Sequence, residues 1–132
     1  PMAKIASGGE ISRIMLAFKH IIGSNDSVET MIFDEIDTGI SGKTALVVGH
    51  KLNEIAEHRQ ILCITHLPQI AAMADTAYRI FKRSDDSSTY THIEKLNSNA
   101  QINEIARLIG GESITDATRK NAEELIESAK NI

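Results

Sequence analysis

The sequence predicts an α/β fold, a mostly parallel sheet with flanking helices and a β-hairpin, on three observations. Short apolar runs at residues 30–33 and 60–65 alternate with segments of helical periodicity. The links between them are short, as crossover units of a parallel sheet require. Two further runs at 77–82 and 89–96 flank the polar stretch Arg83-Ser84-Asp85-Asp86-Ser87-Ser88, the pattern of a hairpin with a polar loop.

The first helix starts at Ser7-Gly8-Gly9-Glu10, where Ser and Glu stand three apart in capping-box spacing. Ile11, Ile14, Met15, Phe18, Ile21 and Ile22 then recur on one face of an amphipathic helix that ends near Gly23. The polar break at 24–27 precedes the buried-type strand Thr30-Met31-Ile32-Phe33, which stops abruptly at Asp34-Glu35. Gly39 and Gly42 punctuate a loop, and Ala45, Val48, Leu52, Ile55 and Ala56 mark the second helix. Residues 60–65 form the next strand, ending at His66, and Pro68 with the run 70–74 indicates a short helix. Two helices at about 100–109 and 115–129, divided by Gly110-Gly111, close the chain. There is no internal repeat and no low-complexity tract.

The length of 132 residues is one domain's worth of chain or part of one. With 42% hydrophobic and 24% charged residues it has a globular composition, which excludes disorder and collagen-like repetition. Fourteen Lys and Arg against 18 Asp and Glu give a net charge of −4, no footprint for strong nucleic-acid binding, so any DNA contact is local or lies outside this chain. No apolar stretch is long enough to span a bilayer and no secretory signal opens the chain, which reads as cytoplasmic with no membrane partner. The single cysteine, Cys63, lies in the apolar run Ile61-Leu62-Cys63-Ile64 and is expected to be a buried, inert thiol. Without Trp, and with three Phe and two Tyr, a base-stacking platform is not expected.

Three constellations carry chemistry. Asp34-Glu35 follows an apolar strand, an arrangement in which one carboxylate holds Mg²⁺ and its neighbour orients or deprotonates a water; alternating side-chain direction would give the two acids separate roles. Two acids that merely end a strand in solvent are the plain alternative. His66 ends the following strand, where its imidazole would hydrogen-bond a phosphoryl oxygen or serve only as a loop residue. If the two strands are neighbours, Asp34, Glu35 and His66 stand side by side at the ligand edge of the sheet. Third, Gly8 and Gly9 at a helix start let backbone N–H groups approach an anion where the helix dipole is positive, although an ordinary cap uses the same residues. Asp37, Thr38, Gly39, Ser41 and Gly42 form a polar loop after the acidic pair. No Gly-x-x-x-x-Gly-Lys-[Ser/Thr] occurs, so if Asp34-Glu35 is a Walker B pair the main nucleotide cradle lies elsewhere.

These motifs together resemble a family. Ala6-Ser7-Gly8-Gly9-Glu10 is similar to the ABC ATPase signature motif, Met31-Ile32-Phe33-Asp34-Glu35 to the Walker B strand, Asp37-Thr38-Gly39 to the D-loop, and Thr65-His66 to the switch histidine. Within that superfamily, the wording at 5–13, 33–42, 65–72 and 104–111 resembles the bacterial SMC-like DNA repair ATPases. The resemblance implies the C-terminal lobe of an ATPase head, covering residues 1–132. It would be excised from a protein whose N-terminal half carries the P-loop and is followed by a coiled coil. It further implies ATP and Mg²⁺ as cofactors, with ATP sandwiched between two heads of a homodimer and DNA engaged through the full-length, nucleoid-associated protein. Ser7, Gly8, Gly9 and Glu10, with Asp37, Thr38 and Gly39, would bind nucleotide; Asp34 would hold the metal; Glu35 and His66 would be catalytic. The isolated chain would be inactive. The alternatives from other classes are a self-contained metal-dependent phosphohydrolase using Asp34, Glu35, Asp37 and His66, and a non-catalytic dimerisation module.

Overall fold

A computed structural model describes residues 7–22, 27–85 and 88–130. The expected helix end at Gly23, the break at 24–26, the loop residues Asp86 and Ser87, and Ala6 of the signature lie outside the described residues. The chain is mixed α/β and divides into two compact units, Pro1–Met73 and Ala74–Ile132.

The first unit runs α1 (Gly8–Ile22), β1 (Thr30–Phe33), α2 (Gly42–Ala56), β2 (Gln60–Cys63) and α3 (Pro68–Ala71). β1 and β2 are parallel neighbours, with Thr30 opposite Gln60 and Phe33 opposite Cys63, and α2 supplies the crossover between them. Met31 and Phe33 alternate inward and join Leu16, Ile36, Val48, Leu52, Ile55 and Ile70 in one apolar cluster. Each such side chain removed from water contributes about 1.5–3 kcal/mol.

Two differences from the sequence reading have physical causes. The apolar stripe of α1 is not buried among the described residues: Ile11, Ile14, Met15, Phe18, Ile21 and Ile22 are all exposed, and the helix buries Gly9 and Leu16 instead. Hydrophobic periodicity identifies an apolar face but not what covers it. β2 also stops at Cys63 rather than Thr65, because Thr65 and His66 leave the ladder to bond the Asp37 side chain.

The second unit holds the antiparallel pair β3 (Tyr78–Ser84) and β4 (Thr89–Lys95), then α4 (Ser98–Gly110) and α5 (Asp116–Lys130). The hairpin loop is shorter than the polar run suggests, since Arg83 and Ser84 continue the ladder opposite Tyr90 and Thr89. Beyond the ladder the Ser88 amide donates to the Asp85 carboxylate at 2.8 Å and the Asp85 amide to the Ser88 carbonyl at 2.9 Å. Asn97 caps α4 by accepting from the Ala100 amide, and Gly111 ends it at φ +80°, a left-handed conformation that favours glycine. Ile105, Ala106 and Ala122 are buried where α4 and α5 meet, and Arg119 donates to Asn99 and Asn103 across that seam.

Candidate functional site

The site is built around the turn at residues 34–39 that leaves the end of β1. The amide of Thr38 donates to the Glu35 carbonyl at 3.1 Å, and Glu35 takes φ +58°, a left-handed conformation unusual for a side chain with a Cβ. That conformation, rather than strand alternation, sets the direction of the acids, and Asp34 and Glu35 are both exposed. Ile36, the next residue, is fully buried and anchors the turn in the core.

The N-terminus of α1 lies directly against this turn. A Cβ on Gly8 would meet the Glu35 carboxylate within 2.3 Å, and one on Gly9 would come within 2.7 Å of the Glu35 carbonyl and 2.9 Å of Thr38. At Gly9 a side chain would run into the backbone of the turn, so glycine is required there, whereas at Gly8 only the movable end of the Glu35 side chain stands in the way. The Ser12 hydroxyl donates to the Asp34 carbonyl at 2.9 Å, and Arg13 Nη1 donates to the carbonyls of Ile36 and Thr38 at 3.0 and 2.8 Å. Sequence reasoning did not single out these two clamps, because they stand off the apolar stripe and their partners lie 22 to 25 positions along the chain.

Ser7 and Glu10 form the expected capping box. The Ser7 amide and hydroxyl donate to the Glu10 carboxylate at 2.8 and 3.2 Å, while the Glu10 amide donates back to Ser7 Oγ at 3.4 Å. The Ser7 amide, and then its hydroxyl, hold the Glu10 carboxyl below the usual range. Glu10 thus caps the helix whose start Gly8 and Gly9 form.

β2 brings the third group. The Ile64 amide donates to the Phe33 carbonyl at 3.0 Å, so the two strand ends are adjacent and His66 stands beside the 34–39 turn. Asp37 is 3% exposed, and its Oδ2 receives the Thr65 hydroxyl at 2.6 Å and the His66 amide at 2.7 Å, with His66 Nδ1 in ion-pair contact at 2.8 Å. Burial alone would raise the Asp37 carboxyl, but the Thr65 hydroxyl, the His66 amide and the His66 ring outweigh it and hold it below its ordinary value. The opposite holds at Cys63, a half-buried thiol pushed up from 9.0 to about 12 by burial and then by the charges of Asp37 and Asp34. The expectation of a buried thiol is met only in part, and the raised value favours the unreactive thiol form. Thr38 and Gly39 are exposed on the turn, Gly39 at φ +76°.

Among the described residues no three or more His, Cys, Asp or Glu side chains gather as a metal cage. One exposed carboxylate beside a second is a donor set suited to Mg²⁺ that arrives with phosphates, since that ion keeps waters and needs only one or two carboxylates. A groove of about 260 Å³ between α1 and α2, lined by Leu16, Ala17, His20, Ile21, Val47 and Val48 among others, is apolar and holds none of the candidate residues.

The chain is 45% identical over 131 residues to the DNA repair protein RecN of Bacillus subtilis, which covers 99% of this chain and 23% of the relative. It is 46% identical over 132 residues to RecN of Halalkalibacterium halodurans, 100% of this chain and 23% of the relative, and 40% identical to RecN of Streptomyces coelicolor over 98% of this chain and 23% of the relative. The chain is a RecN-type segment. It spans about a quarter of the length of the relatives it matches, corresponding to their C-terminal part. No family model matches it. No described helix is long and apolar enough to cross a membrane.

Proposed function

We propose that this chain is the C-terminal lobe of an ABC-type ATPase head in a RecN-like protein of double-strand-break repair and recombination, acting in the cytoplasm at the nucleoid. The observation that carries the reading is the convergence of Gly8-Gly9, Asp34-Glu35 and His66 on one hydrogen-bonded turn, beside the similarity of the whole chain to proteins named for DNA repair. Ser7, Gly8 and Gly9 would meet the γ-phosphate of a nucleotide held by the P-loop of a second head, at a helix start where N–H groups and the dipole favour an anion. Asp34 would hold Mg²⁺, which supplies charge neutralisation on the phosphates; Glu35 would orient the attacking water; His66 would face the γ-phosphate. The partners are the N-terminal P-loop half of the same protein, a second head, and DNA through the full-length protein. The exposed outer face of β1–β2 and the exposed stripe of α1 support a reading in which another lobe covers them.

Phosphoryl transfer depends on positioning and electrostatics, so removing the charge of Glu35 should spare binding and stop turnover. In the full-length protein Glu35→Gln is expected to lower ATP hydrolysis by about 10²–10³-fold or more and to leave a long-lived ATP-bound dimer. Turnover at the parental rate would overturn the role given to Glu35.

A further inference from the structure

We propose that Arg13, together with Ser12, is a positioning residue for Glu35: it ties the turn that carries the acid to the helix start that would face phosphate, so that both keep one geometry. This rests on the ATP-site reading above. Arg13 and Ser12 lie in the second turn of α1 and are half-buried, and neither belongs to the apolar cluster that holds the unit together.

The backbone of the turn is held carbonyl by carbonyl. Two bonds come from inside it: the Thr38 amide donates to the Glu35 carbonyl at 3.1 Å and the Ile40 amide to the Asp37 carbonyl at 3.4 Å. The carbonyls of Asp34, Ile36 and Thr38 accept from α1 instead, the first from the Ser12 hydroxyl at 2.9 Å and the other two from the single nitrogen Nη1 of Arg13 at 3.0 and 2.8 Å. The chain on either side of Glu35 is therefore fixed to the helix. Glu35 itself holds φ +58°, a conformation that a residue with a Cβ keeps only where its surroundings impose it. The aim of its exposed carboxylate follows from that backbone. Gly9 closes the same packing, since a Cβ there would come within 2.7 Å of the Glu35 carbonyl and 3.0 Å of Arg13 Nη1.

The consequence is kinetic. An acid that orients water must be placed closely, and a displacement of about 1 Å costs on the order of 100-fold in rate. Arg13 acts through the backbone beside Glu35, and its removal leaves Ser7, Gly8 and Gly9 in place to meet phosphate. Turnover and ATP-dependent association should therefore separate in its variants.

The test uses the full-length protein. In amide hydrogen exchange without nucleotide, the peptide spanning 34–39 should exchange about tenfold faster or more in Arg13→Ala, while peptides from β3 and β4 exchange as in the parent. Parental exchange at 34–39 in the folded variant overturns the proposal. Arg13→Ala should lower kcat on the order of 10–100-fold, with KM for ATP within about twofold and ATP-dependent association in sedimentation retained. Loss of association together with turnover would mean a merely structural role and would overturn the assignment. Arg13→Lys, which keeps several donors on one nitrogen, should recover part of the rate. In a Glu35→Gln background Arg13→Ala should cost nothing more, whereas an equal loss in both backgrounds would mean that Arg13 acts elsewhere. Should Arg13→Ala not fold, Ser12→Ala removes the bond to the Asp34 carbonyl alone: faster exchange at 34–39 with a lower kcat supports the proposal, and parental values of both overturn it. Absent turnover in the parent protein removes the ATPase reading and this role with it, whereas parental turnover that Arg13→Ala leaves intact removes this role alone.

Discussion

The two faces of the β1–β2 ribbon differ sharply. Met31 and Phe33 are 7% and 6% exposed under α1 and α2, whereas Ile32, next to both, is 69% exposed and is joined by Leu62 and Ile64 on the open side. Parallel sheets are normally covered on both faces, and two strands alone are marginal in water. The turn at 34–39, by contrast, is tied by Ser12, Arg13, Thr65 and His66. The difference teaches that the polar site in this chain is assembled while its apolar packing is only half complete, as expected of a lobe whose chemistry is shared with another.

Substitutions on the two faces should break or sharpen this contrast. Phe33→Ala removes a buried aromatic and is expected to destabilise the chain by about 3–5 kcal/mol, whereas Ile32→Thr should change the stability of the isolated chain by less than about 0.5 kcal/mol. Denaturant midpoints measure both; equal losses would mean that the open face is covered in solution. A smaller effect is expected at the start of α1. Ser7→Arg removes the cap, for about 1 kcal/mol, and in the full-length protein sets bulk and charge where two heads would meet around phosphate. ATP-dependent association in sedimentation should be lost; association at the parental level would contradict the role of Ser7. The smallest effect is electrostatic. The Asp37 carboxyl is lower in the folded chain than its ordinary 3.8, so its contribution is complete above that value and is lost as pH falls through the lower folded one. Acid titration of stability should therefore fall less steeply below about pH 4 in Asp37→Asn.

Much of this was legible in the sequence, for local reasons. The capping box of Ser7 and Glu10, the strand at Thr30–Phe33 and the stop at Gly111 are set by residues within a few positions of each other, and the structure places them as read. The acidic pair and His66 were also readable, because short apolar strands joined by a helical crossover put their ends together. What escaped depends on contacts far apart in the chain. Asp37 and His66 are 29 positions apart, and only the register of Phe33 with Cys63 brings them within hydrogen-bond reach. Arg13 likewise looks like one polar residue on an amphipathic helix until the turn it clamps is in place. The stripe from Ile11 to Ile22 reads as a face for a core, and nothing local reveals that these side chains stay exposed among the described residues.

The central claim is that this chain is the signature-bearing half of a split ATP site, and the most direct test is phosphate release from Mg-ATP by the 132-residue chain, alone and then mixed with a separately produced P-loop half. The account predicts no binding or turnover by the chain alone, turnover on mixing, and its loss with Glu35→Gln. Stoichiometric ATP binding or hydrolysis by the isolated chain would contradict it and point to a self-contained phosphohydrolase.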